Sequence, residues 1–543
     1  MALLTPRPMH THSIVVAARH SRSALFASLL SAVASLDRLS AQETDQTQTP
    51  NAIYAGIALS YSEQIGAGHG NVFLPNSSVF LIKRDPFRSI ARGRQLFQRK
   101  FTMAQGLGPR AGDGSGPIAT NAAHGAGLAD SCAACHGRPH GAAGTGGDVF
   151  TRPDSRDAPH LFGLGLVEML ADEITTDLRA IATQAKNTAA QTCLPVTLPL
   201  VAKGIAYGSI TALPNGSVDT TNVEGVNPDL RVRPFFAEGK TMSIREFVVG
   251  AFAAEMGLQA VDPLLLAAAN GASVTTPAGM QLDGAKDSIE KPPVNTVWQD
   301  RDHDGVANEV PTSIVDHMEF YLLNYFKPGH GEQTATTALG RERMQSLGCT
   351  QCHVQELTIE RDRRVADVET VFDATQLGFN RLTATATPLF SLAPLGPSLP
   401  PRKLPLHGSV VVHDIFADFK RHDLGPAFHE RNFDGTMTTR FMTEPLWGVG
   451  TTAPYGHDGR SINLREVILR HGGEALASRT AFSQASATEQ AAVIAFLESL
   501  VLFPPPDTAS NLDPASPGLP GFPQVGHGSI KLSVLFNQPT IPE

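Results

Sequence analysis

Two stretches decide the reading of this chain: Cys132-Ala133-Ala134-Cys135-His136 and Cys349-Thr350-Gln351-Cys352-His353, which together take four of its five cysteines. Each is a Cys-x-x-Cys-His pentapeptide, the pattern of a covalent haem c site. The spacing has a chemical reason. Two thiols three positions apart can form thioethers to the two vinyl groups of one porphyrin, and the adjacent imidazole reaches the iron. Cys-x-x-Cys also serves thioredoxin-like redox sites and zinc ribbons, but neither requires a histidine directly after the second cysteine. The expected cofactors are two covalently bound haem c groups, attached through Cys132, Cys135, Cys349 and Cys352, with His136 and His353 as iron ligands.

Haem c attachment takes place outside the cytoplasm, so the pentapeptides imply an exported, periplasmic or secreted protein. The N-terminus agrees: Arg19, His20 and Arg22 precede the apolar run ALFASLLSAVASL and small residues ending at Ser40-Ala41, the order of a signal peptide over residues 1–41. No other apolar stretch approaches membrane-spanning length. A formal charge of −9 without a lysine-rich run excludes a nucleic-acid partner and suits a small redox partner as electron donor, of cytochrome c or cupredoxin type. Aromatics are only 6% of the chain while glycine (49) and proline (39) are abundant, as expected of long loops wrapped around a cofactor that supplies much of the apolar core.

The pentapeptides lie too far apart for one small cytochrome unit. The expected architecture is mainly α: two cytochrome c-like haem domains with long loops and an N-terminal extension. The expected divisions are a polar, irregular extension at 42–85, an N-terminal haem domain at 86–327, a C-terminal haem domain at 328–505 and a tail at 506–543. PFRSIARGRQLFQRKF from Pro86, VDHMEFYLLNYF before the boundary, TALGRERMQSL at 337–347 and ATEQAAVIAFLESL at 487–500 carry helical periodicity. Cys193, the fifth cysteine, reads as a buried structural thiol.

On these motifs the chain resembles the bacterial di-haem cytochrome c peroxidase superfamily, with its MauG-type enzymes and its di-haem oxidoreductase (thiol oxidoreductase-like) branch, over roughly residues 86–503. The block EPLWGVGTTAPYGHDGRSINLREVILRHGGEA from Glu444 is similar to the family's Thr-Ala-Pro-Tyr-x-His-Asp-Gly segment and the helix after it. SRDAPHLFGLGLVE and RPFFAEGKTMSIREFVVGAFAAEMG are divergent versions of other family blocks.

The resemblance implies a peroxidase-like oxidoreductase in which a C-terminal haem relays electrons to an N-terminal haem that binds peroxide or another small oxidant. By the family's offset from His457, His471 becomes the second iron ligand of the C-terminal haem, making it bis-histidine; the alternative is a histidine that merely ends a helix before Gly472-Gly473. His457 becomes a hydrogen-bonding neighbour, and His422 is a competing ligand. Glu255, in Glu255-Met256-Gly257, matches the glutamate that shuttles a proton between the oxygens of bound peroxide; the alternative is a surface carboxylate at a helix end.

Two departures weaken the peroxidase activity. The place of the family's distal glutamine holds Phe247, and its Phe-Phe-Trp-Asp-Gly-Arg block reads Phe235-Phe236-Ala237-Glu238-Gly239-Lys240, without the indole that lies between the haems. Of Trp298 and Trp447, the latter belongs to the Pro-Leu-Trp-Gly segment near the second haem, where it packs or conducts. An electron carrier without its own substrate and a di-haem oxygenase resembling the rubber oxygenases therefore stand as alternatives.

Calcium has two candidate sites. Asp300, Asp302, Asp304 and Glu309 lie on an EF-type acidic loop whose twelfth place is Pro311, the rival being a solvated acidic turn. Thr452 and Pro454 match positions that hold an interdomain calcium in the peroxidases.

Overall fold

In a computed structural model, residues 60–101, 131–137 and 158–502 are described, apart from short stretches within the last segment, including 294–295, 300–306, 375–381 and 394–397. The signal-like segment, the tail and the three aspartates of the acidic loop (Asp300, Asp302 and Asp304) lie outside the described residues.

Two helix crossings built alike frame the molecule. The Pro86–Gln98 helix packs on the Thr312–Asn324 helix, and Gly93 marks the closest approach, since a Cβ there would lie 2.3 Å from the His317 carbonyl oxygen. The Ala335–Ser346 helix packs on the Ala487–Glu498 helix at Gly340, whose Cβ would lie 2.0 Å from the Ala492 oxygen. Glycine inside a helix costs roughly 0.5–1 kcal/mol against alanine; here it lets two backbones meet. Reciprocal caps fix two of these helices at their starts, Thr334 with Thr337 and Ser486 with Glu489. Cys132–His136 forms a single helical turn capped by Ser131, and Cys349–Gln351 a 3-10 turn just after the Ala335–Ser346 helix.

The mainly α expectation is corrected. Helices make up 39% of the described residues, and many short strands pair between them. The physical reason is visible in Val196–Ala202 and Ile205–Ala212, where Leu200, Ala202, Tyr207 and Ile210 are buried and their neighbours along each strand are more exposed. Lys203 and Gly204, both at positive φ (47° and 80°), close this antiparallel pair into a two-residue hairpin. A second hairpin pairs Ala366–Phe372 with Leu382–Pro388. Loops expected to wrap a cofactor as irregular chain are thus partly sheet.

Two smaller expectations also change. The extension at 42–85 is not uniformly irregular: Tyr61–Ile65 and Ser78–Arg84 are helices, and Phe80, Leu81 and Ile82 are buried. Cys193 is exposed, at the left-handed end (φ 54°) of the 29-residue Leu164–Thr192 helix.

A single large core spans both sides of residue 327, joining Leu96, Phe97 and Tyr321 to Leu357, Ile415 and Trp447. A smaller cluster around Met344, Phe416 and Phe496 underlies the second pentapeptide.

Candidate functional site

A cavity of about 930 Å³ contains both pentapeptides in its walls, with Cys135 and His136 from one and Cys349, Cys352 and His353 from the other. His471, Glu255 and Trp447 line it too. The sequence therefore brings together residues more than two hundred positions apart.

Three of the lining imidazoles share one arrangement. His136 Nδ1 lies 2.7 Å from the Pro159 carbonyl oxygen, His353 Nδ1 3.0 Å from that of Phe416, and His471 Nδ1 2.7 Å from that of Val467. A carbonyl only accepts, so each Nδ1 carries the proton and each Nε2 keeps its lone pair. Tying one ring nitrogen to a backbone oxygen is the usual way of orienting an iron- or zinc-binding imidazole and raising its basicity. Burial pushes the His471 imidazole down to about 4 and that of His353 below its ordinary value, so both rings are neutral at pH 7. His353 adds a smaller electrostatic depression of His471. The position of His471 at the end of the Leu464–Arg470 helix and its place on the cavity wall are compatible with each other.

Burial pushes the Cys132 thiol up to about 12 and that of Cys349 up to about 11. Thiol-disulfide enzymes need the opposite, a thiol acidified toward neutrality. Neutral thiols flanked by an oriented imidazole, at the wall of a large apolar cavity, fit a covalently held haem.

His422 is removed as a rival ligand. Its Nε2 is 2.8 Å from Asp418 and its Nδ1 2.7 Å from Glu474, so both nitrogens are engaged. Burial opposes its charge, yet Asp418 and Cys352, with Glu474, push the imidazole up to about 11. Cys352, Asp418 and His422 are also the one trio among the described residues close enough to hold a metal ion. In this arrangement both ring nitrogens of His422 are instead paired with carboxylates. His457 stacks on Phe441 at 3.8 Å between ring centres, with Nε2 3.4 Å from Glu430.

Another part of the wall is the Ile244–Met256 helix, anchored by Arg245, which is wholly buried between Asp262 (2.7 Å), Asp316 (3.0 Å) and Glu319 (2.7 Å). Phe247, Gly250, Ala251, Ala254 and Glu255 are among the residues of this helix that line the cavity. A Cβ at Gly250 would meet nothing within 4 Å. Gly257, at φ 67°, ends the helix directly after Glu255-Met256. Phe247 packs against Phe236 (5.4 Å) and Phe235 (6.0 Å), giving an aromatic wall where the resemblance puts glutamine.

Of the calcium candidates, Glu309 is buried, its carboxylate accepting from the Gln259 amide and its carbonyl from the Tyr61 hydroxyl at 2.7 Å. Thr452 and Pro454 lie on the cavity wall.

Sequence reading did not single out His160. The Phe162 amide donates to its Nδ1 (3.2 Å), so its Nε2 proton is the one given to the Trp447 carbonyl at 2.6 Å. This neutral imidazole ties two distant segments of the chain together on the cavity wall. No local motif announces such a contact, whose partners are 287 residues apart. Burial pushes His160 down to about 4 from its ordinary 6.5. The unfolded chain then binds the extra proton between these values, so stability falls as pH drops from about 6.5 toward 4, by up to about 3 kcal/mol for this residue. Urea unfolding at pH 7 and pH 5 is expected to show the loss, and His160→Gln, which keeps a donor for Trp447 but does not titrate, to make the slope shallower.

Residues 403–500 match a family model described as "Di-haem oxidoreductase, putative peroxidase". No curated protein matches the chain. The matched stretch contains His422, Trp447, His457 and His471 and ends within the strand that follows the Ala487–Glu498 helix. No helix among the described residues is long and apolar enough to cross a membrane. Over residues 403–500 the C-terminal lobe is thus similar to the di-haem oxidoreductase family, and both pentapeptides lie on the wall of the cavity that this stretch helps to line.

Proposed function

We propose that the protein is an exported di-haem peroxidase-like oxidoreductase, with one haem c bound through Cys132, Cys135 and His136 and another through Cys349, Cys352 and His353. The observation that carries this reading is the set of three imidazoles, on one cavity, whose Nδ1 protons are all given to backbone carbonyls. His471 completes the second site as a bis-histidine relay. The first site has no such second imidazole among the described residues of the Ile244–Met256 helix, whose cavity face carries a carboxylate. A bound haem supplies one-electron chemistry and, where a coordination position is open, a place for a small oxidant. Glu255 moves a proton from one peroxide oxygen to the other, and the Phe235, Phe236 and Phe247 wall limits water around it. Electrons come from a small cytochrome c or cupredoxin. Asp300, Asp302, Asp304 and Glu309 would hold one calcium ion, and Thr452 and Pro454, on the cavity wall, a second.

Oxidation of a reduced small donor by hydrogen peroxide tests this function. Two donor molecules oxidised per peroxide is the expected result; a haem-loaded protein that oxidises none contradicts it. The aromatic wall supports a second reading, an oxygenase for an apolar substrate. Oxygen uptake with polyisoprene, and no peroxide turnover, would select it.

A further inference from the structure

The resemblance places an indole between the haems, but its position here is Ala237, which lines the cavity. Another indole reaches the same cavity from the opposite end of the chain. Trp447 is 4% exposed, whereas Trp298 is 86% exposed. The backbone of Trp447 belongs to the C-terminal lobe: the amide of Leu446 donates to the Ile415 carbonyl, one residue before the Phe416 carbonyl that orients His353. Its six-membered ring packs on the N-terminal lobe. A Cβ at Gly163 would lie 2.5 Å from Trp447 Cζ3, and Gly163 has φ 73°, so a side chain is excluded there on two grounds. Its carbonyl takes the His160 proton, and His160 lies within electrostatic reach of His136. The indole Nε1–H points to the His413 carbonyl oxygen at 3.4 Å. Trp447 is thus rooted beside one pentapeptide and packed beside the other.

We infer that Trp447 is the electron relay between the two haem sites, replacing from another segment the indole lost at Ala237. The inference rests on the two-haem reading above. Peroxide takes two electrons and two protons to give two waters, and Trp447 passes the electrons singly. It gives one toward the Cys132–His136 site and regains one from the Cys349–His353 site. The ring keeps its Nε1 proton throughout, its transient positive charge facing the His413 carbonyl, so no proton acceptor is required and the residue is unchanged after each cycle.

Pulsed reduction of the oxidised holoprotein by photogenerated flavin semiquinone, with both haem spectra followed, measures exchange between the sites without peroxide. Trp447→Phe is expected to slow that exchange about tenfold or more, with Trp447→Tyr intermediate and both midpoint potentials unchanged. Exchange in Trp447→Phe equal to wild type, or no exchange in the wild type, overturns the relay. Retained dependence on Trp447 in a protein that does not reduce peroxide would leave the relay standing and remove the peroxidase reading instead.

Discussion

Glu255→Gln is expected to lower peroxide turnover about 10²–10⁴-fold, the usual worth of a positioned acid-base group. Glutamine keeps the size and hydrogen-bonding capacity of the side chain but cannot exchange a proton at neutral pH. The carboxylate sits in the last turn of the Ile244–Met256 helix, whose position is set by the buried Arg245 with its three carboxylate partners and by the Ser243 cap at the other end. The substitution should leave that scaffold, and both haem spectra, as they are. The loss should appear in kcat and in kcat/KM together, because the proton transfer is made in the transition state. Steady-state assays with a reduced donor, with spectra of the oxidised protein as control, check this; unchanged turnover removes Glu255 from the mechanism.

His471→Ala is expected to convert the C-terminal haem from a low-spin to a high-spin or weakly ligated form. The imidazole is already poised for iron: neutral because burial disfavours its charge, and held by the Val467 carbonyl through Nδ1. Alanine removes the ligand and leaves an apolar space edged by Phe428, whose ring lies 5.3 Å from that of His471. Donor-driven turnover should fall because an iron with one protein ligand has a different potential and larger reorganisation. Added imidazole should restore both the low-spin spectrum and part of the turnover. A variant with the wild-type spectrum would move the second ligand elsewhere, although His422, with both nitrogens bonded, cannot take its place.

What the sequence revealed and what it hid follow one physical division. Thioether attachment and its proximal imidazole are encoded within five consecutive residues, so the sequence alone proposes His136 and His353, and the family's offset from His457 proposes His471; the structure places all three on one cavity wall. Four helices, Pro86–Gln98, Thr312–Asn324, Ala335–Ser346 and Ala487–Glu498, were legible from their periodicity, whereas the longest, Leu164–Thr192, was not singled out. The hairpins were not legible, although Lys203-Gly204 between alternating apolar residues carries the turn signal. The polar look of 42–85 concealed short helices whose Phe80, Leu81 and Ile82 enter the core. Least legible were the contacts joining distant segments: the carbonyls of Pro159 and Phe416 that orient the imidazoles, the pairing of His422 with Asp418 and Glu474, and the His160 tie to Trp447. A backbone carbonyl has no sequence signature, and Trp447 looked like a residue of the second lobe until Gly163 was seen beneath its ring.

The unequal roles of the two pentapeptides are the central claim, and low-temperature electron paramagnetic resonance of the fully oxidised holoprotein tests them most directly. The expected spectrum contains one low-spin bis-histidine haem, lost in His471→Ala, and one high-spin haem that changes on addition of peroxide. Two low-spin haems that ignore peroxide would contradict it and make the protein an electron carrier.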